Sequence, residues 1–144
     1  MQSASGAIGR IGIELYNELK RERVLSKTLP VKLDFPEYQL PVRILSGMSL
    51  EEVAAEKVRA LASREKARDA YDLYCLIKER DVKFDKGLIN AKFGYINKGY
   101  SKDILMQALE AKSEIFENEL INLVFGPLPK FGEVKKIIGD WCKS

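Results

Sequence analysis

The chain has 144 residues, 46% hydrophobic and 31% charged, enough for one domain with one core and too apolar for a disordered chain. Its formal charge of +3, from 24 basic and 21 acidic residues, permits contact with nucleic acid but leaves no domain-wide basic footprint. There is no histidine, and the two cysteines, Cys75 and Cys142, are isolated, which excludes Ser-His and Cys-His nucleophiles, histidine zinc sites and a disulfide framework.

No apolar run approaches the roughly 20 residues that span a bilayer. The opening MQSASGAIGR lacks the apolar stretch of a signal peptide, so a cytoplasmic location is expected. From Arg10 the pattern has period two. Ile11, Ile13 and Leu15 fall on one side and Gly12, Glu14 and Tyr16 on the other, which predicts a strand. Residues 17–28 form a charged connection. Its run of Lys20, Arg21, Arg23 and Lys27 reads as a solvated tip, with a phosphate-backbone contact as the alternative. Between Pro30 and Pro36, Val31, Leu33 and Phe35 alternate with Lys32 and Asp34 in a second strand. A third short strand is expected at residues 42–45, between Pro41 and Gly47.

The pattern then turns helical. Ser49 and Glu52 have the spacing of a capping box and open a helix over residues 49–63. Leu50, Ala54, Lys57 and Leu61 share one face of it, apolar except for the lysine. A second helix is expected over residues 67–80, with Ala70, Tyr71, Tyr74 and Ile77 on its apolar side. Asp85 caps a third helix over residues 86–96, and Ser101 caps a fourth that continues after a break near Lys112. Pro127 and Pro129 force a loop, and a last helix covers residues 131–142. Strands first and helices after predict an α+β fold in a single domain, residues 1–144. Two or three antiparallel strands over residues 10–45 precede a helical bundle over residues 49–143. So few strands make a poor sheet, so another chain or upstream sequence is expected to complete it.

Without histidine, catalysis must rest on carboxylates, Lys, Arg and Tyr, or on a metal held by oxygens. Lys57 on an apolar stripe needs a partner or an aqueous cleft, because an unpaired buried ammonium is costly. It either binds phosphate at a cleft mouth or snorkels to Glu52 or Glu56. Asp69 and Asp72 lie three residues apart on one helix face, with Arg68 at i, i+4 to Asp72 and Arg64 close by. They are either a salt-bridge cluster that fixes the turn or acids facing a cleft. Asp34 stands on the strand face opposite Val31, Leu33 and Phe35, as a solvent-side residue or as a base or metal carboxylate. The aromatics Tyr71, Tyr74, Phe93, Tyr95 and Tyr100 read as core and rim.

The stretch SLEEVAAEKVRALASREKARDAYDLYCLI resembles the C-terminal signature of the AbiEii-type nucleotidyltransferase family, toxins of toxin–antitoxin and phage-abortive systems. The resemblance rests on Glu56, Lys57, Ala60, Leu61, Arg64, Arg68, Asp69, Asp72, Leu73 and Tyr74. VKLDF, with Asp34, is similar to a later sheet strand of the family, and the Pro127 to Phe131 stretch to the segment before its final helix. The resemblance implies an incomplete nucleotidyltransferase-like fold that moves a nucleotide from a nucleoside triphosphate to an acceptor with Mg²⁺ or Mn²⁺. By that resemblance Lys57, Arg64 and Arg68 bind the nucleotide, Asp69 and Asp72 order the site, and Asp34 is a metal ligand or base. It also implies an antitoxin or a complementary N-terminal half as partner, with RNA as one possible acceptor and a homo-oligomer through the sheet edge as another assembly.

The chain departs from the family pattern in one respect. The family's Gly-Ser followed by Asp-x-Asp or Asp-x-Glu is absent, and Glu117-Asn118-Glu119 falls in a predicted helix, where i and i+2 point apart. The chain is therefore expected to be the C-terminal part of such an enzyme and inactive alone. The alternative is a non-enzymatic interaction module that pairs through its unfinished sheet.

Overall fold

A computed structural model describes Leu25, residues 29–39 and residues 41–144. The strand expected at residues 11–15 and the basic run at residues 20–27 lie outside the described residues. Strand β1 (Leu29–Leu33) pairs antiparallel with β2 (Arg43–Gly47), with Leu29 opposite Gly47 and Val31 opposite Leu45. β1 begins two residues earlier than the alternation predicted and stops at Leu33. Pro30 fits inside it because, among the described residues, each strand of the ribbon has an edge without a neighbouring strand, where no N–H is needed. Pro36 starts a 3-10 turn, Pro36–Tyr38, and Gln39 closes it in the left-handed region at φ 51°. Asp34 and Phe35 thus lie beyond the strand. Gly47 ends the ribbon where a Cβ would meet Val31 Cγ2 at 2.8 Å. No residue of the ribbon is buried.

Six helices follow: α1 (Leu50–Ser63), α2 (Arg68–Arg80), α3 (Lys86–Gly94), α4 (Lys102–Glu110), α5 (Phe116–Leu120) and α6 (Phe131–Trp141). The architecture is α+β, as the order of patterns implied. Ser49, Asp85 and Ser101 each cap a helix, their side-chain oxygens accepting the N–H of Glu52, Leu88 and Ile104. α3 ends two residues short of Ile96: Asn97 turns left-handed at φ 54°, and Lys98 N–H reaches back to the Phe93 carbonyl at 3.3 Å. The expected break near Lys112 is a run of turns between α4 and α5.

α1 is central and packs against α2, α3 and α4, while α6 closes the far side of α2. Its buried face is Ala54, Ala55, Val58 and Leu61, whose small side chains let the neighbours approach closely. Leu50 is exposed, so the face is rotated from the predicted stripe and Lys57 stands on its flank. Phe93 is buried edge-on to Tyr100, and Trp141 donates its indole N–H to the Val82 carbonyl at 2.7 Å.

An ion pair that periodicity did not reveal ties α1 to α3. Lys92 and Glu52 are both 0% exposed, with Lys92 Nζ 2.6 Å from Glu52 Oε1 and 3.0 Å from Glu56 Oε1. Glu52 Oε1 also accepts the N–H of Leu25 at 2.7 Å. Removing one partner of a buried pair leaves the other charge stranded. Lys92→Met is therefore expected to cost about 3–5 kcal/mol in urea denaturation. A loss below about 1 kcal/mol would mean that Glu52 is neutralised by other groups.

Candidate functional site at the α1–α2 junction

The turn between α1 and α2 is held from both sides. Arg64 closes α1, its N–H on the Ala60 carbonyl at 2.8 Å. Lys112 reaches across from the turns after α4, donating to the Leu61 carbonyl at 3.0 Å and the Ala108 carbonyl at 2.9 Å. Those carbonyls belong to helix ends that lack intrahelical donors. Glu119 of α5 accepts the N–H of Ala67 at 2.9 Å, placing a carboxylate at the start of α2, where the helix dipole favours it. Burial pushes the Lys112 ammonium below its ordinary range, partly opposed by the fields of Asp69 and Glu65.

This clamp sets Lys57 on α1 against two acids on α2. Its ammonium donates to Asp69 Oδ1 at 3.1 Å and to Asp72 Oδ2 at 2.6 Å. Asp69 is buried at 1% exposure, whereas Asp72 keeps 43% of its side chain in water and Lys57 keeps 26%. The remaining Asp69 oxygen, Oδ2, is buried with no hydrogen-bond donor among the described residues. Arg64 Nε lies 3.7 Å from it. Burial works to lower the Lys57 pKa, but the hydrogen bonds to Asp72 and Asp69 prevail and hold it above the ordinary value. Lys57 lines an open cleft of about 280 Å³ together with Val53, Asp72, Cys75, Leu76, Glu79 and Arg80.

Lys57, Asp69, Asp72 and Arg64 are thus brought together. Lys57 pairs across the junction, while Glu52 and Glu56 hold Lys92 instead. Arg68 is exposed and makes no ion pair among the described residues, because Asp72 turns to Lys57. Asp34 lies just past the end of β1, exposed, its Oδ2 2.9 Å from the Lys32 ammonium. Among the described residues no three carboxylate or thiol side chains gather as metal donors. Asp69 and Asp72 each commit an oxygen to an ammonium, so these residues do not fit a divalent cation.

Sequence reading missed Lys112 and Glu119, each about 50 residues from the group it holds. Lys112 does carry a signal, a lysine where two apolar helical stretches break. Tyr74, read as core, also donates to Glu133 of α6 at 2.8 Å and accepts from Lys78 at 2.6 Å.

Residues 5–134 match a family model described as nucleotidyl transferase AbiEii toxin, type IV TA system. No curated protein and no solved structure matches the chain.

The Lys57 pair generates two expectations. Lys57→Met should cost about 2–3 kcal/mol in denaturant, less than a fully buried pair because Lys57 keeps some water. Adding Asp69→Asn should return part of it, and strict additivity in that double-mutant cycle would count against direct coupling. Because the Lys57 pKa is raised on folding, its stabilisation is complete below the ordinary value of 10.5 and lost as pH climbs through the higher folded value. Wild-type stability should fall there more steeply than that of Lys57→Met; parallel curves would show that Lys57 carries no such linkage.

Proposed function

Because the chain belongs to the AbiEii family of nucleotidyltransferase toxins, we propose that its α1–α2 junction is the phosphate-holding part of a nucleotide-transfer site. One observation carries this reading. An ammonium has three N–H donors; Lys57 commits two to Asp69 and Asp72, and it lines an open cleft. Asp69 keeps Lys57 charged and fixes its direction. Asp72, half in water, is the partner that a triphosphate oxygen displaces. Arg64 and Arg68 add positive field at the same junction and stabilise the charge of the bound nucleotide.

In this reading the reaction joins the α-phosphorus of a nucleoside triphosphate to an acceptor hydroxyl, with pyrophosphate leaving and the hydroxyl proton passing to a base. The described carboxylates form no divalent-ion site, so the family's Mg²⁺ or Mn²⁺ is assigned no step here. Asp34, exposed just past the end of β1, is the acid nearest in type to a sheet carboxylate, and a Gly-Ser…Asp-x-Asp segment would have to join it. Residues 1–144 contain no such segment, so the reading is of a C-terminal part that does not transfer nucleotides by itself. The reading includes an antitoxin partner, which the type IV family description supports, and action in the cytoplasm.

A second reading has its own observation. The two-stranded ribbon shows exposed Leu29, Val31, Ile44 and Leu45 and has no further strand among the described residues. Such edges pair with other chains, as in a complementary half, a second copy or a binding partner.

Labelled transfer separates these readings. Purified residues 1–144 with magnesium or manganese, any nucleoside triphosphate and total RNA or protein should yield no product. Supplying a Gly-Ser…Asp-x-Asp segment in cis or in trans should yield product, which Lys57→Met and Asp69→Asn reduce on the order of 100-fold, as for loss of one charge-stabilising group. Transfer by the isolated chain that Asp34→Asn abolishes would overturn the assignment. A complemented enzyme indifferent to Lys57→Met would also overturn it.

A further inference from the structure

A second recess, between α4 and α6, shares no residue with the cleft beside Lys57. We propose that it binds a compact polyphosphate anion. Lys102 of α4 and Lys135, Lys136 and Lys143 of α6 and its end line it. Against these lysines the lining carries one acid, Asp140, so its formal charge of +3 equals that of the entire chain.

The lysines are available to an anion. Lys136 is exposed and has no carboxylate partner among the described residues. The Lys102 ammonium donates to the Gly139 carbonyl at 2.7 Å, a neutral acceptor that leaves its charge uncompensated. Lys135 pairs with Glu110, outside the lining, and Lys143 with Asp140 at 3.2 Å. Both pairs are solvent-exposed, the kind that contributes little and exchanges readily for phosphate oxygens.

The floor is open. Gly132 and Gly139 stand seven residues apart on α6, two turns along one face, and Met106 packs beside Gly139. A Cβ at Gly132 would meet nothing within 4 Å. The recess holds about 330 Å³, at the small end of ligand cavities. No aromatic side chain lines it to stack a base, and a nucleic-acid track needs such faces. Four point charges around one small volume suit a di- or triphosphate group better than a strand. The site stands whether or not the chain transfers nucleotides.

The test is titration of ¹⁵N-labelled chain with inorganic triphosphate, followed by amide shifts. The Gly132 and Gly139 amides should move and saturate together. Lys135→Gln/Lys136→Gln should weaken that binding by on the order of tenfold or more. Gly132→Asp should do the same while folding normally, since its Cβ enters open space and an acid in the first turn suits the helix dipole. ATP binding here as tightly as triphosphate identifies a nucleotide tail as the natural ligand; much weaker ATP identifies free polyphosphate. Shifts confined to Val53 and Leu76, wild-type affinity in both variants, or a response to RNA oligonucleotide but not to triphosphate would overturn the proposal.

Discussion

Two carboxylates that water does not reach, Glu52 and Asp69, set where the rest of the structure stands. Each must meet a positive charge, because an ionised carboxylate left unpaired in the interior costs several kcal/mol. α1 contributes one partner to each pair: Glu52 itself, which meets Lys92 of α3, and Lys57, which meets Asp69 of α2. Hydrophobic burial of Ala54, Ala55 and Val58 draws the three helices together without specifying their rotation. The ion pairs supply the missing direction, since a turned α1 would strand two charges at once.

The candidate site is a consequence of that arrangement. Lys57 is charged because two acids hold it so, and it reaches the cleft because it stands on the flank of the buried face. Its two partners differ in the way an exchangeable site requires. Asp69 is buried and permanent, whereas Asp72 is half in water and replaceable. Lys112 and Glu119 keep the junction from opening by capping helix ends that the short turn leaves bare.

The molecule also separates its surfaces. The ribbon presents apolar side chains, whereas the α4–α6 recess gathers four lysines. The first suits pairing with another chain and the second suits an anion, and neither takes a residue from the Lys57 cleft. The family match covers the ribbon and helices α1–α5 and stops at Val134, within the first turn of α6, so the ribbon and most of the helical region share one ancestry.

The sequence by itself determined the order of elements, because period-two and helical patterns, proline breaks and the caps at Ser49, Asp85 and Ser101 are local signals. It also singled out Lys57, Asp69 and Asp72, because charges next to apolar stripes stand out along the chain. Their pairing was not legible. Glu52 and Glu56 are nearer to Lys57 in sequence, yet they belong to Lys92, because residues within one helix cannot choose partners on another until the helices pack. Tertiary structure alone decided that Lys57 crosses to α2, that Lys112 and Glu119 clamp the junction, and that four lysines meet around one recess. Each of these depends on contacts across 12 to 52 residues of chain, and such contacts are set by the packing of faces, to which no local periodicity refers.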